Sequence, residues 1–269
     1  MRIGTTTFGF RYQLLDRARA PSLERVAEQA RGLGLDVLQI CENARPMDLG
    51  ESQWAEVVRR AGDIGLELQL GCKTTALGVF RGYLDRAAAL PACLLRVVLE
   101  EEEGRAPERA DVDRFLAAAW PLIERSGARL AIENHFDVPS RVLAEAVAPY
   151  PAGRIGFCVD TANSLRNFET PEMVLDLLGS RALCYHVKDF RVDGDKLGFR
   201  VAGAPLGEGR LDLDATLERI FRHNPAPELF VENWTPGSGD WETDVREDEL
   251  WLRRGLDTLK QRLRNRGIS

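Results

Sequence analysis

The sequence predicts a (β/α)8 TIM barrel, a fold of the α/β class, from three observations. It carries eight short apolar runs, helix-period segments lie between them, and its 269 residues are close to the ~250 typical of that architecture. The runs are RIGTTTF (2–8), DVLQIC (36–41), LELQLG (66–71), LLRVVL (94–99), RLAIEN (129–134), RIGFCVD (154–160), ALCYHV (182–187) and LFVEN (229–233). Their hydrophobicity is mostly continuous rather than alternating, as expected of parallel strands covered on both faces.

The intervening segments repeat the spacing of helices with one apolar face. Ser22 is placed to cap a helix bearing Leu23, Val26, Ala27, Ala30 and Leu33, which the glycines at 32 and 34 stop. Trp54, Val57, Val58, Ala61 and Ile64 repeat the pattern before Gly65, and Val112, Phe115, Leu116, Ala119 and Ile123 repeat it before Gly127. Thr170 followed by Pro171 reads as an N-cap with proline at the first helical position, opening EMVLDLLG. Val245, Leu252, Leu256, Leu259 and Leu263 mark a long closing helix. A doubly wound sheet would also alternate strands and helices, but it calls for a GxGxxG turn after the first strand, which Gly4 and Gly9 do not form. No linker or low-complexity tract interrupts residues 1–269, so a single TIM-barrel domain is expected. The acidic EEEEG (100–104) reads as a solvated loop after the fourth strand.

A net charge of −6, with no Lys/Arg block, leaves no basic footprint for a nucleic-acid partner. MRIGTTTFGFRY lacks the apolar core of a signal peptide. No run approaches the roughly 18 apolar residues that cross a bilayer, so no membrane partner and a cytoplasmic location are expected. The five cysteines (41, 72, 93, 158 and 184) are odd in number and widely spaced, with no CxxC pair. That suits buried reduced thiols better than a disulfide framework or a zinc knuckle.

Working residues of such barrels stand at the C-terminal ends of strands. There the fifth run ends at Glu133, the sixth at Asp160, the seventh at His186 and the eighth at Glu232, separated by 27, 26 and 46 residues, the last spacing allowing for a longer loop, DFRVDGDKLGFRVAGAPLGEGRLD (189–212). Three carboxylates crowded into a low-dielectric mouth repel one another, and each costs several kcal/mol if unpaired. A divalent cation resolves the conflict. Oxygen donors with one imidazole suit Mn²⁺, Mg²⁺ or Co²⁺, with Zn²⁺ also compatible, whereas an all-thiolate site is excluded. Glu133 and Glu232 can also act as a base and acid pair on either side of an α-hydroxy ketone, while the cation polarises the carbonyl and stabilises an enediolate. Lys188, two residues past His186, returns to the same face of the strand. His135 is placed to hydrogen-bond a substrate hydroxyl, Lys188, Lys73 and Arg191 to meet a carboxylate or phosphate, and Asn163 is a further candidate to contact substrate. Trp234, Phe8 and Phe10 are candidates for an apolar wall, and Glu42 for the rim. His223 reads as a surface residue.

In their order, ENH, DTANS, HVKD, PLGEGRLD and VENW resemble the sugar phosphate isomerase/epimerase family of xylose isomerase-like barrels, the likeness being strongest from residue 128 to 234. The resemblance implies that Glu133, Asp160, His186 and Glu232 hold one divalent metal ion, often manganese, and that the two glutamates transfer protons. It implies a divalent-metal-dependent isomerase or epimerase of a small carbohydrate such as a ketose, sugar acid or inosose, and a chain that pairs as a homodimer. The ketose 3-epimerases of the family carry a histidine where this sequence has Asn163, and an arginine about six residues after the metal histidine, where Arg191 follows by five. Three histidines cannot build the trinuclear zinc site of the nucleic-acid-cleaving relatives. The same scaffold houses inosose dehydratases, hydroxypyruvate isomerases, C-glycoside-cleaving subunits and 3-oxo-isoapionate decarboxylase. A metal-dependent lyase of an oxidised sugar, a decarboxylase or dehydratase, is therefore the rival reading.

Overall fold

The computed structural model describes residues 1–91, 94–101 and 105–268. Eight parallel strands close into a barrel: β1 (Arg2–Thr6), β2 (Val37–Ile40), β3 (Glu67–Lys73), β4 (Leu94–Val98), β5 (Arg129–Glu133), β6 (Ile155–Asp160), β7 (Ala182–Val187) and β10 (Glu228–Val231). Each coincides with one of the eight expected apolar runs. Continuous burial along β2, β4, β6 and β10 confirms strands covered by helices outside and by side chains within.

The helices α1 (Arg11–Leu15), α2 (Leu23–Gly32), α3 (Glu51–Asp63), α4 (Leu77–Ala87), α5 (Arg109–Ser126), α6 (Ser140–Val147), α7 (Pro171–Leu178), α8 (Leu213–His223) and α9 (Trp241–Asn265) surround the barrel. Ser22 Oγ accepts from Arg25 N at 3.4 Å, and Thr170 Oγ1 from Met173 N at 3.3 Å, so both expected caps form. All five anticipated apolar positions of α5 are buried, and Gly127 stops that helix in the left-handed region at φ 74°. On α9, Leu252, Leu256, Leu259 and Leu263 pack inward, while Asp244 and Asp248 are buried at its start. Asp248 Oδ1 accepts from Thr235 Oγ1 at 2.6 Å.

One expectation needs correction. The long connection 189–212, read as a loop, contains an antiparallel hairpin of β8 (Asp189–Asp195) and β9 (Gly198–Ala204). Asp195 pairs with Gly198 across a two-residue turn, short enough to send the chain directly back on itself. The hairpin lies on the strand-end segment after β10, where a Cβ at Gly203 would stand 1.8 Å from Trp234 O. Cys41, Cys72, Cys158 and Cys184 are buried and free, as expected. Cys93 and residues 102–104 of the acidic run lie outside the described residues.

Register sets the height of each strand end. Glu133 pairs with Cys158, Asp160 with His186, and Val231 with Val187, so Glu232 begins one step beyond the β7–β10 ladder. The β6–β7 pairing shifts between Phe157 and Cys158. Beside that shift a Cβ at Gly156 would lie 2.2 Å from Arg181 O. Gly156→Ala must push these strands apart, and its expected loss of stability is about 1–3 kcal/mol, the usual cost of overpacking, measured by denaturant unfolding.

Candidate active site

The four strand-end residues converge. His186 is fully buried, and its Nδ1 lies 2.8 Å from Glu232 Oε2, 3.5 Å from Glu133 Oε2 and 4.0 Å from Asp160 Oδ2. Octahedral oxygen ligands about 2.1 Å from an ion stand about 3.0 Å apart along an edge and about 4.2 Å across, and the three separations from Nδ1 lie near that range.

Local hydrogen bonds explain why the motifs read as they do. Asn134 stitches β5 to β6 by donating to Asp160 O at 2.9 Å and accepting from Asp160 N at 2.8 Å. Asp160 Oδ1 accepts from Ala162 N and Asn163 N, both at 2.8 Å, which turns the chain and leaves Oδ2 facing the cluster. Thr161 Oγ1 donates to Lys188 O at 2.8 Å and accepts from Lys188 N at 2.9 Å. The Asp189 carboxylate accepts from the backbone N–H groups of Phe190, Gly207, Gly209 and Leu211 at 2.7–2.9 Å, anchoring the PLGEGRLD loop behind the site. A Cβ at Gly209 would meet Asp189 Oδ1 at 2.2 Å, so that loop glycine is required by close approach.

Lys188 Nζ stands 2.9 Å from Asp160 Oδ2 and 3.0 Å from Glu232 Oε1. Asn163 bridges the two halves of the cluster, donating to Glu133 Oε1 at 2.7 Å and accepting from Lys188 Nζ at 3.3 Å. Arg96 on β4 is buried, pairs with Glu133 Oε2, and reaches Glu42 Oε2 at 3.3 Å. Asp160 Oδ2, His186 Nδ1 and Glu232 Oε2 are buried without a well-directed hydrogen-bond partner among the described residues. They keep charged neighbours, Lys188 Nζ at 2.9 Å from Asp160 Oδ2 and the other two at 2.8 Å from each other, and they come from three of the four candidate ligands, whose donor chemistry fits a hard or borderline divalent ion.

Burial works against every charge here, and the neighbours decide the outcome. Burial opposes ionisation of Glu133, but Arg96, His186 and Lys188 outweigh it and hold its carboxyl below the ordinary range. For Glu232, burial is likewise outweighed by Lys188 and His186. Burial prevails at Asp160, whose carboxyl is raised despite Lys188. Burial disfavours the charged forms of His186 and Lys188, yet the surrounding carboxylates raise both. His135 is pushed down to about 4, chiefly by burial that Glu133 offsets only in part, and its ring is neutral at physiological pH. Cys158 Sγ lies within 4.8 Å of ligand atoms of Glu133 and His186. Burial and the neighbouring Cys184 push its thiol well up, which disfavours the thiolate that a metal ligand must supply.

The cluster floors a pocket of about 270 Å³. His135, Lys73, Phe8, Glu42, Asn163, Lys188 and Trp234 line it as anticipated, although Lys73 also pairs with Glu100 at 2.5 Å. Arg191 does not belong there. It points along the hairpin, donating to Asp193 Oδ2 and Gly203 O at 3.1 and 2.8 Å, because its place on β8 turns it away from the mouth. Phe10 packs into the core beside α9, not into the pocket wall. His223 sits against Gly179, at the end of α8. Sequence reasoning missed Arg96, hidden inside the apolar run LLRVVL, together with Arg11 and Asn233 on the rim. A buried arginine within a strand run was the available signal. An apolar cavity of about 400 Å³, bounded by Phe168, Phe199, Val201 and Leu165, adjoins the pocket and shares Phe136, Asn163 and Trp234 with it.

Residues 27–261 match the xylose isomerase-like TIM barrel family. The chain belongs to that family. It is 29% identical over 265 residues to 3-oxo-isoapionate decarboxylase of Pectobacterium atrosepticum, covering 97% of this chain and 96% of that protein. Among solved structures it resembles the IOLI protein with a bound zinc atom (TM-score 0.76, 14% identity, 98% of each chain). It also resembles D-psicose 3-epimerase in the presence of D-fructose (TM-score 0.75, 14% identity, 98% of this chain and 99% of that one). These two likenesses establish the barrel fold of the family. No described helix is long and apolar enough to cross a membrane.

The Arg96–Glu133 pair is almost completely buried on both sides. Arg96→Met leaves Glu133 charged and unpaired, and the expected loss is about 3–5 kcal/mol in denaturant unfolding of the metal-free protein. Adding Glu133→Gln to Arg96→Met should recover part of that loss.

Proposed function

We propose that this chain is a divalent-metal-dependent lyase that decarboxylates a 3-oxo sugar acid. The observation that carries the reading is the guanidinium of Arg11, which stands on the rim of a pocket whose other cations are paired to carboxylates. Lys188 stands 2.9–3.0 Å from Asp160 and Glu232 inside it. Arg11 on the rim lies 5.1 Å over the Tyr12 ring and enters no ion pair among the described residues. A neutral ketose has no use for a free guanidinium, whereas a substrate carboxylate does. Whole-length similarity to a decarboxylase supports the same choice.

In this reading Glu133, Asp160, His186 and Glu232 hold the ion, Mn²⁺, Mg²⁺, Co²⁺ or Zn²⁺. When bound it supplies positive charge beside the substrate's carbonyl oxygen. Arg11 orients the carboxylate away from the floor. The bond from the carboxyl carbon to its neighbour breaks and CO₂ departs. Its electron pair forms a carbon–carbon double bond, and the carbonyl pair moves onto oxygen. Lys188, held protonated by Asp160 and Glu232, returns a proton to the carbon and is reprotonated from water. His135, neutral, hydrogen-bonds a hydroxyl, and Trp234 with Phe8 covers a sugar face and excludes water.

A second reading rests on Glu133 and Glu232 approaching His186 Nδ1 separately, at 3.5 and 2.8 Å. Two such carboxylates suit the proton shuttling of an isomerase or epimerase of a small ketose, sugar acid or inosose.

CO₂ release from 3-oxo sugar acids in the presence of Mn²⁺ is the deciding measurement. Turnover should stop on chelation and return with metal. Glu133→Gln and Glu232→Gln should each lower kcat by about 10²-fold or more. Arg11→Met should raise KM for the acid with a smaller effect on kcat. Exchange of a ketose α-hydrogen in deuterated water, with no CO₂ from any acid, would replace the lyase reading by the isomerase.

A further inference from the structure

The pocket chemistry leaves unexplained a row of buried polar side chains running down the inside of the barrel. His186 Nε2 lies 3.1 Å from Gln39 Oε1, Gln39 Nε2 lies 3.3 Å from Gln69 Oε1, and Gln69 Nε2 lies 2.7 Å from Glu228 Oε2. The Arg2 guanidinium pairs with the other oxygen of Glu228 and with Glu67 at the opposite mouth. Gln39, Gln69 and His186 are fully buried. The chain of contacts joins the N-terminal end of the barrel to the imidazole beneath the candidate metal centre.

We infer that Gln39 and Gln69 are positioning residues that set the tautomer of His186, presenting a bare Nδ1 to a divalent cation. The inference rests on the metal-centre reading above, but its logic is local. Glu228, paired with the Arg2 guanidinium, presents an acceptor oxygen, so the amide end of Gln69 facing it must be the NH₂ group. Gln69 then offers its oxygen to Gln39, whose NH₂ must face that way, and Gln39 in turn offers its oxygen to the ring. An oxygen facing Nε2 favours a proton there, in competition with Glu232 Oε2, which stands 2.8 Å from Nδ1. Each amide is oriented by its neighbour, so one carboxylate at the far mouth dictates the polarity of every link. Glu67 Oε1, 3.4 Å from Gln69 Nε2, enforces the same sense. With Nε2 protonated, the lone pair of the neutral ring is on Nδ1, the atom surrounded by Glu232, Glu133 and Asp160. The edge of the Phe230 ring, 5.6 Å away between centroids, closes another side of the imidazole.

The test uses imidazole ¹⁵N spectra and metal titration of the full chain. Only three histidines have to be assigned. In metal-free wild type, where Glu232 Oε2 at 2.8 Å also draws a proton to Nδ1, His186 should keep Nε2 protonated from neutral to alkaline pH, and Nδ1 should be the nitrogen bared as the ring becomes neutral. Gln39→Leu should lose that preference and bind Mn²⁺ about 10–100-fold more weakly, the usual effect of removing the group that orients a ligand histidine. Gln69→Leu, which touches neither the ring nor the pocket, should weaken binding in the same direction while its spectrum shows mixed tautomers. If Gln39→Leu does not fold, the wild-type spectrum and Gln69→Leu decide. A neutral wild-type ring protonated on Nδ1, or folded variants that keep both tautomer and Mn²⁺ affinity, would overturn the inference. Wild type with the expected tautomer but no Mn²⁺ binding would instead overturn the metal-centre reading.

Discussion

Three carboxylates are buried around one imidazole at the C-terminal mouth of this barrel, and that concentration of charge in a low dielectric is the constraint to which the surrounding structure answers. Arg96 answers it from β4 by pairing with Glu133, and Lys188 answers it from the end of β7 by pairing with Asp160 and Glu232. Asn163 ties the two ion pairs together through one side-chain amide. Burial and pairing pull in opposite directions at every member. Glu133 and Glu232 stay ionised while Asp160 is pushed toward its protonated form. A divalent cation among the orphaned oxygens would favour the charged form of all three.

The scaffold holds this arrangement with backbone clamps more than with side-chain packing. Asn134, Thr161 and Asp189 each spend their polar atoms on main-chain partners, joining the ends of β5, β6, β7 and the loop after β9. The functional side chains therefore project from strand ends whose heights are fixed by parallel register and whose directions are fixed by these bonds. Beneath them a directional row of glutamines passes the polarity of a carboxylate through the barrel to the imidazole. A barrel interior is usually filled by branched apolar residues. Here Gln39, Gln69 and Arg96 replace part of that filling, and each is committed to the site above it.

Above the cluster the pocket carries Arg11, Lys73 and Glu42 and becomes apolar to one side. Arg11 and Lys73 face the entrance, and the hairpin of β8 and β9 supplies Phe199 and Val201 to a neighbouring cavity. An acidic, oxygen-rich substrate suits the first region. The second region leaves room for more than a small sugar alone. Fold-level likeness to an epimerase at 14% identity does not choose between proton transfer and loss of CO₂, because both need the same charge beside the same oxygen.

The amino-acid sequence by itself determined the barrel, its eight strands, the caps at Ser22 and Thr170, and the four strand-end residues. Each of these is written in local hydrophobic period or in a polar residue closing an apolar run. Tertiary structure alone decided the rest. Arg96 was invisible as a site residue because its run reads as an ordinary buried strand, and only the pairing of β4 with β5, Arg96 against Ala131, sets its side chain beside Glu133. Arg191 was misplaced because sequence spacing does not reveal that the chain folds back as a hairpin and turns the side chain outward. The glutamine row could not be read at all. Gln39 and Gln69 are register partners on the adjacent strands β2 and β3, whereas Glu228 and His186 stand on β10 and β7, and those two meet the glutamines only because a closed barrel brings inward-facing side chains of different strands together on its axis.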